Sequence, residues 1–164
     1  MALKEKINQD FKDAFKAKEE LKVSVLRLLN SAIKNKEVEK RTRLSKTVTD
    51  SAKLEKQSQL SDEEVLAVLG AEAKRRKDSI EQYQQGGRPE LASREEAESQ
   101  ILAAYLPEQM GEEELRQIVA ESIKESGAAG VQELGKVMKV LMPRVKGKAD
   151  GGLVNKIVKE ELEK

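Results

Sequence analysis

Apolar residues recur every three or four positions along almost the whole chain of 164 residues, and no useful run alternates apolar with polar residues. Spacing of three and four places the apolar side chains on one face of an α-helix, whereas a half-exposed strand requires strict alternation. Aromatic residues make up only 2% of the chain and charged residues 37%, a composition that favours helices over sheet. The sequence therefore predicts an all-α fold.

Capping signals divide this pattern into separate helices. Ser61 and Glu64 have the spacing of a capping box, in which each side chain accepts a hydrogen bond from the other residue's backbone amide. Gly86 and Gly87 then predict a helix end, because glycine readily adopts the left-handed conformation found there. Pro89 follows as a favourable first residue of the next helix.

These boundaries predict two domains. An N-terminal bundle of long helices is expected over residues 1–106, and a small three-helix tail domain over residues 107–164. Residues 40–60 are rich in Ser, Thr, Lys and Gln, so they are predicted to be a polar connection within the first domain, with a loose helical turn as the alternative. In the tail, Pro143 is expected to end the second helix, and Asp150 to cap the third.

The chain lacks the residues that several classes of chemistry require. The chain contains no cysteine and no histidine, which excludes disulfides, thiolate nucleophiles, and imidazole bases or metal ligands. No phosphate-binding loop of the Gly-x4-Gly-Lys-Ser/Thr type is present. The carboxylates of Glu95, Glu96 and Glu98 are expected on a solvated helix face. We therefore predict no catalytic residue, no metal site and no cofactor.

The lengths of the apolar runs predict where the protein is located. No run approaches the roughly 18 apolar residues that cross a bilayer. The first residues begin an amphipathic pattern and do not resemble an apolar signal core. A soluble cytoplasmic protein without membrane contact is therefore expected, and the sequence predicts no oligomeric state.

Positive charge is concentrated in two stretches of the sequence, residues 1–60 and residues 131–159. The net charge of the chain is only +1, yet residues 131–159 carry 7 lysines and arginines against 2 acidic residues. These cations surround a predicted helix start, where backbone amides and the helix dipole favour an anion such as phosphate. An ordinary polar turn capped by Asp150 is the alternative. The candidate RNA- or anion-binding residues are Lys139, Arg144, Lys146, Lys148, Gly151, Gly152, Asn155 and Lys156.

A second basic patch consists of consecutive cations on a predicted helix. Its members are Lys74, Arg75, Arg76 and Lys77. Four consecutive residues wrap a full helical turn, so a solvated face is the ordinary interpretation and a contact with RNA or a partner is the alternative. Because aromatic residues are scarce, we expect recognition of the backbone or shape of folded RNA and not stacking on its bases.

Several short motifs together resemble the YqeY-like family. They are RKDSIEQY at residues 76–83, GRPELA at residues 87–92, YLPEQ at residues 105–109, GKVM at residues 135–138 and KGKAD at residues 146–150. The resemblance extends over essentially the whole chain, although residues 42–59 contribute nothing characteristic to it. It implies an all-helical protein with a long-helix N-terminal domain and a small helical tail.

The chain from about Gln100 onward is also similar to the tail domain of GatB, the B subunit of the tRNA-dependent amidotransferase. In that complex the tail helps to engage tRNA. The resemblance therefore implies a link to carbon–nitrogen ligase activity in which glutamine is the amido-nitrogen donor. Neither the amidase Ser-Ser-Lys machinery nor the ATP-using domain of that complex is visible here. The resemblance thus favours a non-catalytic adaptor that binds tRNA or such an assembly. A protein–protein module, and an enzyme that acts only with partner subunits, are the alternatives.

Overall fold

The computed structural model describes residues 2–164, which fold into α-helices joined by short loops, with no β-strand among them. The all-α prediction is therefore confirmed for these residues. They form two compact units, one ending at Tyr105 and the other comprising Leu106–Lys164, here called the N-terminal unit and the tail unit. The helices are α1 Leu3–Ala17, α2 Glu20–Leu44, α3 Ser51–Ser58, α4 Asp62–Gln85, α5 Pro89–Ala103, α6 Glu112–Ser126, α7 Leu134–Val145 and α8 Gly151–Leu162.

The N-terminal unit is built from two helix pairs and one short helix. α1 packs on α2, and α4 packs closely on α5, while α3 lies against α2. Most of the apolar residues that the helical spacing places on one face become buried, whereas Phe15 and Leu28 remain exposed. This core includes Ile7, Val25, Leu26, Leu29, Ile33, Val65, Leu69 and Leu102.

The end of α5 is tied to α1 by a buried tyrosine. Tyr105 is 8% exposed, and its hydroxyl donates a hydrogen bond of 2.7 Å to the carboxylate of Asp10. Burial, together with this hydrogen bond, raises the pKa of Tyr105 well above its usual value. Lys6 lies 5.7 Å from the centre of the tyrosine ring and adds a cation–π contact.

The predicted capping box at the start of α4 is confirmed. The Ser61 hydroxyl accepts a hydrogen bond from the amide of Glu64 at 3.3 Å, and the Glu64 carboxylate accepts one from the amide of Ser61 at 2.8 Å. Lys40 of α2 also binds this carboxylate at 2.7 Å. The Lys40 ammonium and the Ser61 amide hold the pKa of Glu64 below its ordinary value of 4.5.

The prediction of a polar connection over residues 40–60 is wrong. α2 continues to Leu44, and α3 begins at Ser51, where the Asp50 side chain accepts a hydrogen bond of 2.8 Å from the amide of Lys53. α3 is short and polar, so its stability depends on packing against α2, which leaves Ser58 only 6% exposed. Residues 45–50 and 59–61 remain as connections, and the helical turn that the sequence left open is α3.

An ion-pair cluster joins α4 to α5 inside the N-terminal unit. The Arg76 guanidinium hydrogen-bonds the carboxylate of Glu98 and lies 3.0 Å from that of Glu95. Arg76 is 9% exposed and Glu98 is 7% exposed, so both charges are largely removed from water. The expectation that Glu98 lies on a solvated face is therefore wrong, because it balances a cation from the neighbouring helix.

This cluster also corrects the predicted second basic patch. Arg76 is interior and has its charge neutralised, so it is not available to a partner. Arg75 is exposed and lies 3.4 Å from Glu72 on its own helix. The four consecutive cations therefore do not form one surface, because α4 turns by about 100° at each residue and directs Arg76 toward α5.

The tail unit consists of α6, α7 and α8 around their own apolar core. The buried residues are Leu115, Val119, Val137, Leu141, Val145, Val154, Ile157 and Val158. Glycines mark both ends of α6: Gly111 precedes it, and Gly127 ends it at a φ of +67°. Asp150 caps α8 as predicted, since its carboxylate accepts a hydrogen bond of 2.9 Å from the amide of Leu153.

The predicted helix end at Pro143 is wrong, because α7 ends two residues later. α7 continues to Val145, and the amide of Lys146 still donates to the carbonyl of Met142 at 2.9 Å. Val145 is 1% exposed and follows the buried Leu141 by one helical turn. Burial of Val145 therefore offsets the hydrogen bond that proline cannot donate in this last turn.

Candidate nucleic-acid interface

The loop between α7 and α8, residues 146–150, is fixed by the segment that precedes α6. The side-chain amide of Gln109 donates a hydrogen bond of 2.9 Å to the carbonyl of Gly147. The backbone amide of Met110 donates one of 2.8 Å to the carbonyl of Lys148. These two bonds hold the loop, here called the basic loop, in one conformation within the tail unit.

Two of the short motifs therefore meet in space. Residues 105–109 and residues 146–150 are far apart in the sequence, yet Gln109 bridges them by also donating a hydrogen bond of 2.8 Å to the carbonyl of Pro107. An amide is needed at this position, because a carboxylate could not donate to two carbonyl groups. The motif at residues 105–109 thus acts as a support for the basic loop.

Gly147 supplies the backbone conformation that the basic loop requires. Its φ is +76°, and a Cβ atom at this position would lie 3.7 Å from Pro107, an ordinary contact. The cost of a side chain is therefore the left-handed backbone itself, about 1–2 kcal/mol. Gly151, at the first position of α8, is the matched control, because a Cβ atom there would meet nothing within 4 Å.

We expect Gly147→Ala to lower the free energy of unfolding by about 1–2 kcal/mol, whereas Gly151→Ala leaves it unchanged or raises it slightly. Urea denaturation followed by far-ultraviolet circular dichroism measures both changes. Equal stability of the two variants would contradict the assignment of a strained, glycine-dependent loop.

All of the predicted anion-binding residues are exposed in the tail unit. Gly151 and Gly152 lie in the first turn of α8, where open space around Gly151 permits close approach of a foreign atom. Asp150 uses the amide of Leu153, the third residue of the helix. The cap therefore occupies one amide of this turn and does not cover the two glycines.

Arg144 is directed away from the other cations. Its guanidinium lies 2.7 Å from Glu125 and 3.6 Å from Glu121, both on α6. Lys139 precedes it by five residues, which corresponds to about 140° around the helix axis. Arg144 thus serves to join α7 to α6, and we remove it from the candidate anion site.

Lys159 also belongs with the exposed cations of the tail unit, although the motif-based prediction did not include it. Gly152, Asn155, Lys156 and Lys159 are exposed along one face of α8, whereas the opposite face is buried in the core. Lys159 follows Gly152 by seven residues, so helical periodicity alone places it on the same side. Lys156 lies 3.9 Å from Glu160, a loose ion pair.

These exposed residues define what we call the tail surface. Among the residues that the structure describes, Lys139, Lys148 and Lys159 form no ion pair. Cations that are not neutralised internally remain available to an external anion. The members of the tail surface are Lys139, Lys146, Lys148, Gly151, Gly152, Asn155, Lys156 and Lys159.

A small cavity beside the basic loop is not suited to an anion. It has a volume of about 270 Å³ and is lined by Glu108, Gln109, Met110, Glu114 and Lys148. Two carboxylates against one ammonium disfavour a bound phosphate. The chemistry of the tail surface is therefore that of an open contact and not of an enclosed pocket.

Residues 2–164 show neither a carboxylate metal site nor a membrane-spanning helix. No group of three or more carboxylates is arranged so that it could hold a metal ion. No helix in this part of the chain is both long enough and apolar enough to cross a membrane.

Comparison with known proteins relates the chain to a family and to a yeast protein. The sequence model of the family described as "Yqey-like protein" matches residues 4–162. "Altered inheritance of mitochondria protein 41, mitochondrial" from the yeast Vanderwaltozyma polyspora is 29% identical over 100 residues. That alignment covers 61% of this chain and 46% of the yeast protein, so the chain matches less than half of its relative's length.

Proposed function

Because this chain belongs to the YqeY-like family, we propose that it is a non-catalytic helical adaptor that binds tRNA through the tail surface. The observation that carries the proposal is a basic loop held by two hydrogen bonds, together with the exposed side chains of Lys139 and Lys159, which form no ion pair among the described residues. Phosphate contacts of this kind give affinity and position but read no base sequence. The expected ligand is therefore the backbone of a folded RNA.

The order of the basic loop supports this proposal energetically. Hydrogen bonds from Gln109 and Met110 already fix the backbone of Gly147 and Lys148. Binding then requires little additional loss of conformational entropy in the loop. Asn155 adds an amide donor next to the cations, and the glycines of α8 allow a phosphate to approach the helix start.

The finer part of the proposal concerns the assembly. We propose that the protein brings tRNA to an amidotransferase-type carbon–nitrogen ligase, with glutamine as the nitrogen donor, in which partner subunits perform the chemistry. The similarity of its tail to that of GatB motivates this step. The cytoplasm is the proposed compartment, although the name of the yeast relative assigns that protein to mitochondria. Cell fractionation tests the location.

Filter binding of the full-length chain to tRNA over a series of salt concentrations tests the proposal. If three to five lysines neutralise phosphates, the logarithm of the association constant falls with that of the salt concentration at a slope of about −2 to −4. Binding should therefore weaken strongly between about 50 and 200 mM salt. Absence of binding at the lowest salt concentration would overturn the proposal.

One observation favours a protein–protein module as a second candidate. A groove of about 680 Å³ runs between α2 and α4 in the N-terminal unit. Leu28 at this groove is 56% exposed, and Val68 and Ala71 also line it. Apolar grooves between helices are typical sites for an amphipathic helix. If the chain binds no tRNA, this groove is the surface at which a protein partner is expected to bind. Leu28→Glu is the variant that tests this alternative.

A further inference from the structure

A second cavity in the N-terminal unit has a different chemistry from the tail surface. It lies between α1 and α2 and has a volume of about 390 Å³. Its α2 residues fall at spacings of three and four, which places them on one helix face. The lining consists of Phe11, Arg27, Asn30, Ser31, Lys34 and Asn35, and we call it the α1–α2 pocket.

The cations of the α1–α2 pocket are available to a ligand. Arg27 and Lys34 are exposed, and neither forms an ion pair with another described residue. No carboxylate lines the pocket. In the neighbouring groove, by contrast, Lys36 lies 2.7 Å from Glu39. The α1–α2 pocket therefore favours an anionic ligand.

An aromatic surface adjoins these cations. Phe11 and Phe15 are the two phenylalanines of the chain, and their ring centres lie 6.5 Å apart with an angle of 34° between the planes. Phe15 is 63% exposed, which is unusual for so large an apolar side chain. Phe11 is half-buried and lines the pocket together with Arg27 and Lys34, whereas Phe15 is not part of that lining. A phenylalanine face next to arginine and lysine is the combination that stacks nucleobases while holding their phosphates.

The polar groups of the α1–α2 pocket can contact the edge of a base. The side-chain amides of Asn30 and Asn35 each offer both donors and an acceptor. The Ser31 hydroxyl donates to the carbonyl of Arg27 at 3.0 Å, so its oxygen remains able to accept a hydrogen bond. Unpaired bases offer their Watson–Crick edges to such groups, whereas base pairing occupies these edges in an RNA duplex.

We propose that the α1–α2 pocket binds an unpaired nucleotide of RNA. Phe11 stacks on the base, the asparagine amides contact its edge, and Arg27 and Lys34 hold the flanking phosphates. This proposal departs from the expectation, based on the scarcity of aromatic residues, that the protein does not stack on RNA bases. This inference rests on the proposed function and extends it, because the tail surface contacts the backbone of paired RNA. Each unit then recognises a different feature of the same class of ligand.

Two RNAs test this inference with the full-length chain. One is a blunt hairpin, and the other is the same hairpin with a short unpaired 3′ overhang that carries the fluorescent base 2-aminopurine. We expect the overhang to tighten binding by about tenfold, in the range of one stacked base. Stacking on phenylalanine should also change the fluorescence of 2-aminopurine, which a purely electrostatic contact leaves unaltered.

Variants of the α1–α2 pocket should remove this advantage without weakening binding of the blunt hairpin. Phe11→Leu keeps the apolar volume and removes the aromatic face. Lys34→Gln changes an exposed side chain that has no ion pair, so the fold is preserved. Lys36→Gln, which alters the same helix outside the pocket, is the matched control and should retain the overhang advantage.

The outcomes separate the two proposals. If neither RNA binds, the proposed function itself fails. If both hairpins bind equally and 2-aminopurine is unaffected, the α1–α2 pocket is not a nucleotide site, while the tail surface stands. Self-association that Phe15→Ser abolishes, without any overhang advantage, would identify the phenylalanines as a protein contact and would also overturn the inference.

Discussion

Replacing Lys139, Lys148 and Lys159 together by glutamate is expected to weaken tRNA binding at low salt by about two to three orders of magnitude. All three side chains are exposed and form no ion pair within the described chain. Their replacement therefore removes phosphate contacts and adds repulsion without breaking an ion pair. Because Lys148 also lines the cavity that contains Glu108 and Glu114, circular dichroism of the variant checks that its fold is kept. The slope of the salt dependence should become shallower by about two to three, slightly less than one for each lost phosphate contact.

A matched triple variant distinguishes a defined surface from general attraction. Lys46, Lys53 and Lys56 are also exposed, form no described ion pair and lie at the end of the N-terminal unit that carries α3. Their replacement by glutamate changes the net charge by the same amount. It should reduce affinity only slightly, through the long-range field. Equal losses for both triple variants would contradict a specific role of the tail surface.

The second large effect concerns stability. Arg76→Met should lower the free energy of unfolding by about 3–5 kcal/mol, because it leaves the carboxylate of Glu98 buried without its main counter-charge. Arg94 lies 3.3 Å from the same carboxylate, but its side chain is 70% exposed and compensates only partly. Urea denaturation monitored by circular dichroism measures the loss.

Two further variants control this result. Replacing both partners, Arg76→Met with Glu98→Leu, should recover most of the stability, since neither charge then remains buried. Arg75→Met removes the exposed neighbour, whose pair with Glu72 lies at the surface, and should cost at most about 0.5 kcal/mol. If Arg75→Met and Arg76→Met were equally destabilising, the buried cluster would not have the importance assigned to it.

Local signals were sufficient to predict most helix boundaries. The capping box at Ser61, the start of α5 at Pro89 and the cap at Asp150 all depend on residues within one turn of the helix end. Such interactions require no knowledge of the rest of the fold. The Asp50 cap is of the same kind and could have indicated α3, had the polar character of that segment not favoured a loop.

The features that the sequence did not reveal depend on distant partners. The burial of Arg76 follows from carboxylates 19 and 22 residues further along the chain. The basic loop is held by Gln109, which is 38 residues away from Gly147. Which cation faces which neighbour is decided by the packing of whole helices, and a list of consecutive charges does not contain that information. Lys159 is different, since helical periodicity could have identified it.

Contact between the tail surface and tRNA can be tested directly by the amide chemical shifts of the full-length chain. On addition of tRNA at low salt, we expect the largest changes at residues 146–156 and at Lys159. Raising the salt concentration should reverse them, because the contact is with phosphates. The assignment would be contradicted if tRNA bound while the amide chemical shifts of the tail unit stayed unchanged. It would also be contradicted if no amide chemical shift changed anywhere in the chain.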